Sequence, residues 1–243
     1  MNRVEPIFLI LALLAEIIGT IGGFGSSVFF VPIANFYFDF YSVLGLTALF
    51  HLSSNLSKLM LFKKGINKKL AINLGIPAVA FVIIGSLASS YLDSMVLQLV
   101  LSLFLITFSL LFLIKKEIAL KATAKNALIG GSLSGFSAGL LGTGGAIRGL
   151  TMAAFNLEKS IFIATSALID MAIDLSRTVV YWINGYIHKH DLIYIPFLLL
   201  IGFFGSWLGK KVLLHIPQPV FKKISLFLIL LIGVVSLIAY LKH

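Results

Sequence analysis

Apolar runs of about 18 to 25 residues, separated by short polar or glycine-rich breaks, follow one another from Val4 to Tyr240. Runs of this length suit about 30 Å of hydrocarbon, which takes roughly 20 helical residues to cross. The pattern predicts helices over 4–22, 41–62, 69–91, 95–114, 126–142, 159–183, 190–212 and 218–241. Two further stretches, 25–38 and 144–157, are only about 14 residues long, roughly 21 Å of helix, and too short to cross alone. Each follows a glycine-rich break, GGFGSS from Gly22 to Ser27 and GTGG from Gly142 to Gly145. They predict re-entrant arms, each paired with the helix before its break.

A shift of 119 positions aligns TALFHLSSNLSK, from Thr47 to Lys58, with SALIDMAIDLSR, from Ser166 to Arg177. The same shift sets Gly23, Gly25 and Pro77 against Gly142, Gly144 and Pro196, and one inserted residue brings Gly85-Ser86 onto Gly205-Ser206. Glycines, prolines and polar residues kept in one register point to an internal repeat, as in many transporter folds. The expected fold is therefore an all-α integral membrane protein, a single domain over 1–243. It comprises repeat 1 over 1–114, a cytoplasmic linker over 115–125 and repeat 2 over 126–243. Each repeat is a glycine-broken helix pair followed by three transmembrane helices.

Composition agrees, with 59% of residues hydrophobic and 12% charged, against about a quarter charged in soluble domains. The net charge of +10 does not signal nucleic acid, because the lysines lie in short loops beside apolar spans, where a cytoplasmic bias explains them. Lys63, Lys64, Lys68 and Lys69 mark one such loop, Lys115, Lys116, Lys121 and Lys125 a second, and Lys210, Lys211, Lys222 and Lys223 a third. If the broken pairs dip in and return, all three face the cytoplasm and the repeats are inverted. The first span lacks a basic leader and a cleavage site, and reads as retained structure in a multi-pass protein of the cell (inner, cytoplasmic) membrane. Without cysteine there is no thiolate metal site or nucleophile.

Irregular backbone inside a bilayer is tolerated only beside protein or water, so the two breaks are expected to line a cavity. Each opens a helix, whose free N–H groups and positive dipole end favour anions. Gly23, Gly25, Ser26 and Ser27 in one turn and Gly142, Thr143, Gly144 and Gly145 in the other are the candidate contacts. Arg148, one turn further on, is a candidate for the substrate's charge, with a permanent ion pair to Glu16 or Asp170 as its structural alternative. Asp170, Asp174 and Arg177 share a helix face, and His51, Asn55 and Lys58 hold the same positions in repeat 1. His51, Asn55, Asp170, Asp174 and Arg177 are the pathway or coupling candidates, with Asp170, lacking a basic neighbour one turn away, first for a proton role. Asp174 with Arg177 reads equally as a local ion pair, and Lys58 as a residue reaching headgroups. His188 and His190, in a loop HKH, read as solvated, with no metal or other cofactor expected. Pro77 and Pro196 are candidate kinks within spanning helices.

Gly23-Phe24-Gly25-Ser26-Ser27 followed by Val31-Pro32, with Gly142-Thr143-Gly144-Gly145 in the second half, resembles the TauE/SafE sulfite-exporter family over the whole chain. The resemblance implies membrane transport of sulfite, sulfonates and related small anions, with Gly23, Gly25, Ser26, Gly142, Gly144 and Gly145 contacting the anion. The sequence departs from the family pattern with Ser26 and Ser27 in the glycine triplet and Thr151 where repeat 1 has Pro32. The expected function is export of a small sulfur oxyanion by alternating access at a midplane site, the bilayer and the anion being its partners and homodimerisation left open. The alternatives are an anion channel, an intramembrane enzyme using Asp170 and Asp174, and a non-transporting assembly partner.

Overall fold

The computed structural model describes residues 4–22, 25–114, 120–213 and 218–241. Gly23, Lys115 and Lys116 lie outside them, and the Lys222 and Lys223 side chains are likewise undescribed. The chain is all-helical, with no strand among the described residues. Its α-helices are α1 (Pro6–Gly22), α2 (Ser27–Ala34), α3 (Phe40–Leu61), α4 (Lys68–Ser89), α5 (Ser94–Ile114), α6 (Ala124–Leu141), α7 (Gly145–Ala153), α8 (Lys159–Ile183), α9 (Ile195–Leu213) and α10 (Gln218–Leu241), with a 3-10 turn at Asp191–Tyr194.

Long-range partners are α1 with α9, α6 with α4, α3 with α8 and α9, α8 with α4, and α5 with α10. Glycines set the closest approaches. A Cβ at Gly131, Gly135 or Gly139 of α6 would fall 2.0–2.2 Å from the carbonyl oxygens of Leu74, Ala78 or Val82 on α4. The contacts ascend together, so α4 and α6 run parallel. On α9, Gly205 and Gly209 abut Glu16 and Thr20 of α1 in the same sense. Gly135→Leu should therefore drive α4 from α6 and leave little folded protein, read as loss of the monodisperse peak in detergent size-exclusion; a wild-type profile would show that the helices can separate freely.

One end of the bundle gathers the basic loops. Lys64 pairs with Glu158 at 2.6 Å, and Lys210 donates to the carbonyl of Leu61 at 2.7 Å. Parallel packing of α4 and α6 brings Lys125 to the end where Lys68 and Lys69 lie. As a result α1 runs toward the lysine-rich end, with α9, whereas α6 runs away from it, with α4.

The helix limits match the hydropathy pattern to within a few residues except at the arms. α2 and α7 have 8 and 9 residues rather than about 14, roughly 12–14 Å. α2 stops at Asn35, followed by a turn, and α3 starts on Asp39, whose carboxylate accepts from the amides of Tyr41 and Ser42 at 3.1 Å each. Burial pushes the Asp39 carboxyl up, but hydrogen bonds from Ser42 and Tyr41 and the nearby His188 outweigh it and leave it below its ordinary value. Pro196 corrects a second expectation, because it occupies the first turn of α9, where a missing N–H costs nothing, while Pro77 lies inside α4.

The exterior is apolar, with Ile72, Ile76, Ile83, Ile84 and Leu87 of α4 and Leu199, Leu200, Phe203 and Phe204 of α9 exposed. The interior holds Glu16, His51, Asn55, Lys58, Arg148, Asp174 and Arg177, all buried. Such an inside-out distribution suits hydrocarbon. Lys68–Ser89, Ser94–Ile114 and Asp191–Leu213 are long and apolar enough to cross a bilayer, while Pro6–Gly22 and Leu226–Leu241 are shorter apolar helices. α3 and α8 are as long but diluted by the polar residues they carry inward.

Candidate functional site

Both glycine-rich breaks turn the chain sharply back on itself. Gly25 and Gly142 have φ of +80° and +76°, in the left-handed region where a side chain is strained. Across the first turn, Ser26 returns against Gly19 so closely that a Cβ there would fall 2.3 Å from its Cα. In the second, Ser134 and Ser137 donate to the carbonyls of Gly144 and Thr143 at 2.8 and 2.5 Å. The Gly144 carbonyl also accepts the first intrahelical bond of α7, from the Arg148 amide at 3.1 Å, so the two hydroxyls tie the turn to the last turns of α6.

The turns meet. A Cβ built on Gly25 would lie 3.8 Å from Cα of Gly145 and 3.6 Å from a guanidinium nitrogen of Arg148. The Thr143 hydroxyl donates to Ser27 across the same junction at 3.2 Å. The Ser26 side chain makes no capping hydrogen bond to α2, and Gly144 at the N-cap of α7 has no side chain to offer one.

Arg148 is 2% exposed and makes a two-point ion pair with Asp170, while its Nε donates to Ser166 Oγ at 3.0 Å. The structural alternative is thus the arrangement seen, with Asp170 rather than Glu16 as partner. Asp170 has no basic neighbour one turn away on α8, and its cation arrives instead from α7. Gly25, Ser166, Asp170, Lys58 and Thr20 line a cavity of about 20 Å³ beside this pair, room for about one water.

Asp174 accepts from Arg177 Nε at 2.8 Å and from Asn55 Nδ2 at 2.7 Å. Asn55 and Asp174 are 119 residues apart, the shift that aligns the two halves. Arg177 also donates to the carbonyls of Ala138 and Gly142 at 3.1 and 2.9 Å, holding the end of α6 and the second turn. Asp170 and Asp174 therefore each belong to a different arginine, and the shared-proton pair that an enzyme reading requires does not form.

A second buried network escaped the sequence analysis. Glu16 accepts from the hydroxyls of Thr20, Ser26, Ser54 and Ser206 and pairs with Lys58 at 2.9 Å. Lys58 is 7% exposed and donates to Ser54 at 2.7 Å, so it does not reach headgroups. His51 joins through Nε2, 3.1 Å from Ser26 Oγ. A carboxylate inside the apolar α1 was the one available signal, because buried charge demands a partner. At the aligned position repeat 2 has Gly135, which is why α6 lies directly on α4 while α1 and α9 enclose polar groups.

Charged and hydroxyl groups enclosed by a lipid-compatible exterior define the class, an α-helical membrane protein whose polar groups work inside the bundle. The chain belongs to the sulfite exporter TauE/SafE family, whose model matches residues 8–236. That is a family of transporters, so the chain is not an enzyme, and membership points to membrane export of sulfite or a related anion. No curated protein and no solved structure matches the chain.

Proposed function

We propose that the chain is a multi-pass exporter of the cytoplasmic membrane that moves sulfite or a small organosulfonate by alternating access, binding the anion between the Gly25 and Gly145 turns. The observation that carries this reading is the approach of the two turns to each other with the Arg148 guanidinium beside Gly25. First-turn amides of α2 and α7 supply donors and the positive ends of two dipoles, and Arg148 supplies a full charge. The cavity beside them has room for about one water, so a bound anion takes the place that Asp170 holds against Arg148. Asp170 then acts as the resident counter-charge, displaced by the arriving anion and returning when it leaves.

The opposite directions of α1 and α6 support inverted repeats, and the bond between Asn55 and Asp174 falls where two related halves would share an axis. An inside-negative potential drives each negative charge outward by about 2.3 kcal/mol per 100 mV. Proteoliposomes loaded with labelled sulfite should therefore release it faster when a valinomycin potential makes the lumen negative. Release no faster than from empty liposomes for sulfite, thiosulfate, sulfoacetate and taurine alike would overturn the proposal, and single-channel currents would replace it with a channel.

A further inference from the structure

At the far end of α3 from the lysine-rich loops, the segment between α8 and α9 folds over the start of α3. Asp39, His188 and His190 come together there, with one ligating atom from each within 4.8 Å of the others. Beneath them is Asp191, 1% exposed, neither of whose oxygens has a hydrogen bond of ordinary geometry. The nearest groups facing it are His188 Nδ1 at 3.5 Å and His190 Nε2 at 3.2 Å. Ser42 Oγ lies 2.7 Å from His188 Nδ1, and the two imidazole rings stack 5.3 Å apart at 11°.

We infer that Asp39, His188 and His190 form a binding site for a divalent transition metal of the zinc class, with Asp191 as the buried carboxylate that orients the imidazoles. Two imidazoles and a carboxylate are a donor set that suits zinc, with a water able to complete four-coordination. Around a tetrahedral ion with bonds of about 2.1 Å the donor atoms stand about 3.4 Å apart, so ligation needs the donors to draw together by up to about 1.4 Å and the two stacked rings to turn their nitrogens toward a common point. Metal-bound histidines commonly give their second nitrogen to a carboxylate, and Asp191 faces one nitrogen of each ring. A buried carboxylate without ordinary hydrogen bonds is costly, and two imidazoles fixed by a cation would repay it. The aligned stretch of repeat 1, Lys69 to Ile72, is plain α4 helix without histidine or acid. The cluster is thus particular to repeat 2, where metal would staple the α8–α9 connection to the start of α3. Neither the anion site nor the direction of transport enters this inference.

The test is zinc titration of the full-length protein in detergent, purified through a tag without histidine, by calorimetry and thermal shift. One ion per chain is expected, with a rise in melting temperature. His188→Ala/His190→Ala should abolish both, and Asp191→Asn should weaken binding about 10–100-fold. Asp39→Asn, which still caps α3, covers the case in which the double variant does not fold and should also lose most of the affinity. Absence of binding to the wild type, or affinity unchanged in these variants, refutes the site.

Discussion

Arg148→Ala is expected to abolish sulfite flux in proteoliposomes and to destabilise the protein by up to about 3–5 kcal/mol, because it leaves the Asp170 carboxylate, 19% exposed, without its partner. A loss of flux by itself would not distinguish binding from folding. Arg148→Ala/Asp170→Asn removes both charges, so most of the stability should return while transport stays absent. The reason is geometric, since the guanidinium lies beside Gly25, where the two glycine turns meet. Wild-type flux in the double variant would mean that Arg148 serves only to neutralise Asp170, and the anion site would have to be sought elsewhere.

The second large effect is expected at Glu16. Glu16→Ala leaves Lys58 as an uncompensated buried cation and removes the acceptor for the hydroxyls of Thr20, Ser26, Ser54 and Ser206. The cost should again be about 3–5 kcal/mol, measured by thermal unfolding in detergent. Glu16→Leu/Lys58→Met keeps the volume and discards both charges, and such replacements are commonly neutral or stabilising by about 1–4 kcal/mol. Recovery of stability in the double variant is the expected result. If it melts as low as the single variant, the ring of hydroxyls rather than the ion pair holds α1 to α3 and α9. Flux in a stable double variant would then show whether the network also has a part in transport, since Ser26 links it to the first glycine turn.

Much of the helix layout could be read directly because lipid and the bundle interior impose different periodicities on length and polarity. The limits of α8 and α10 coincide with the hydropathy pattern, and those of α3, α4 and α5 lie within two residues of it. Asp174 with Arg177 was legible as a pair because three positions along a helix place both on one face. The arms came out shorter than expected because Asn35 and the turn after it end α2, which apolarity alone does not register. Pro196 reads as internal because the apolar run extends back to 190, yet the stretch before it forms a 3-10 turn at Asp191–Tyr194 and α9 starts at Ile195.

By itself the sequence determined the all-helical class, the two glycine breaks and the family, since each rests on residues that are neighbours along the chain. Only the tertiary structure decided which charge meets which: Arg148 with Asp170, Lys58 with Glu16, Asn55 with Asp174, and Asp39 with the histidines. Spacing along one helix reports which residues share a face, but not which other helix that face will meet. In this chain that was settled by where glycines let backbones touch and by the need of every enclosed charge for a partner.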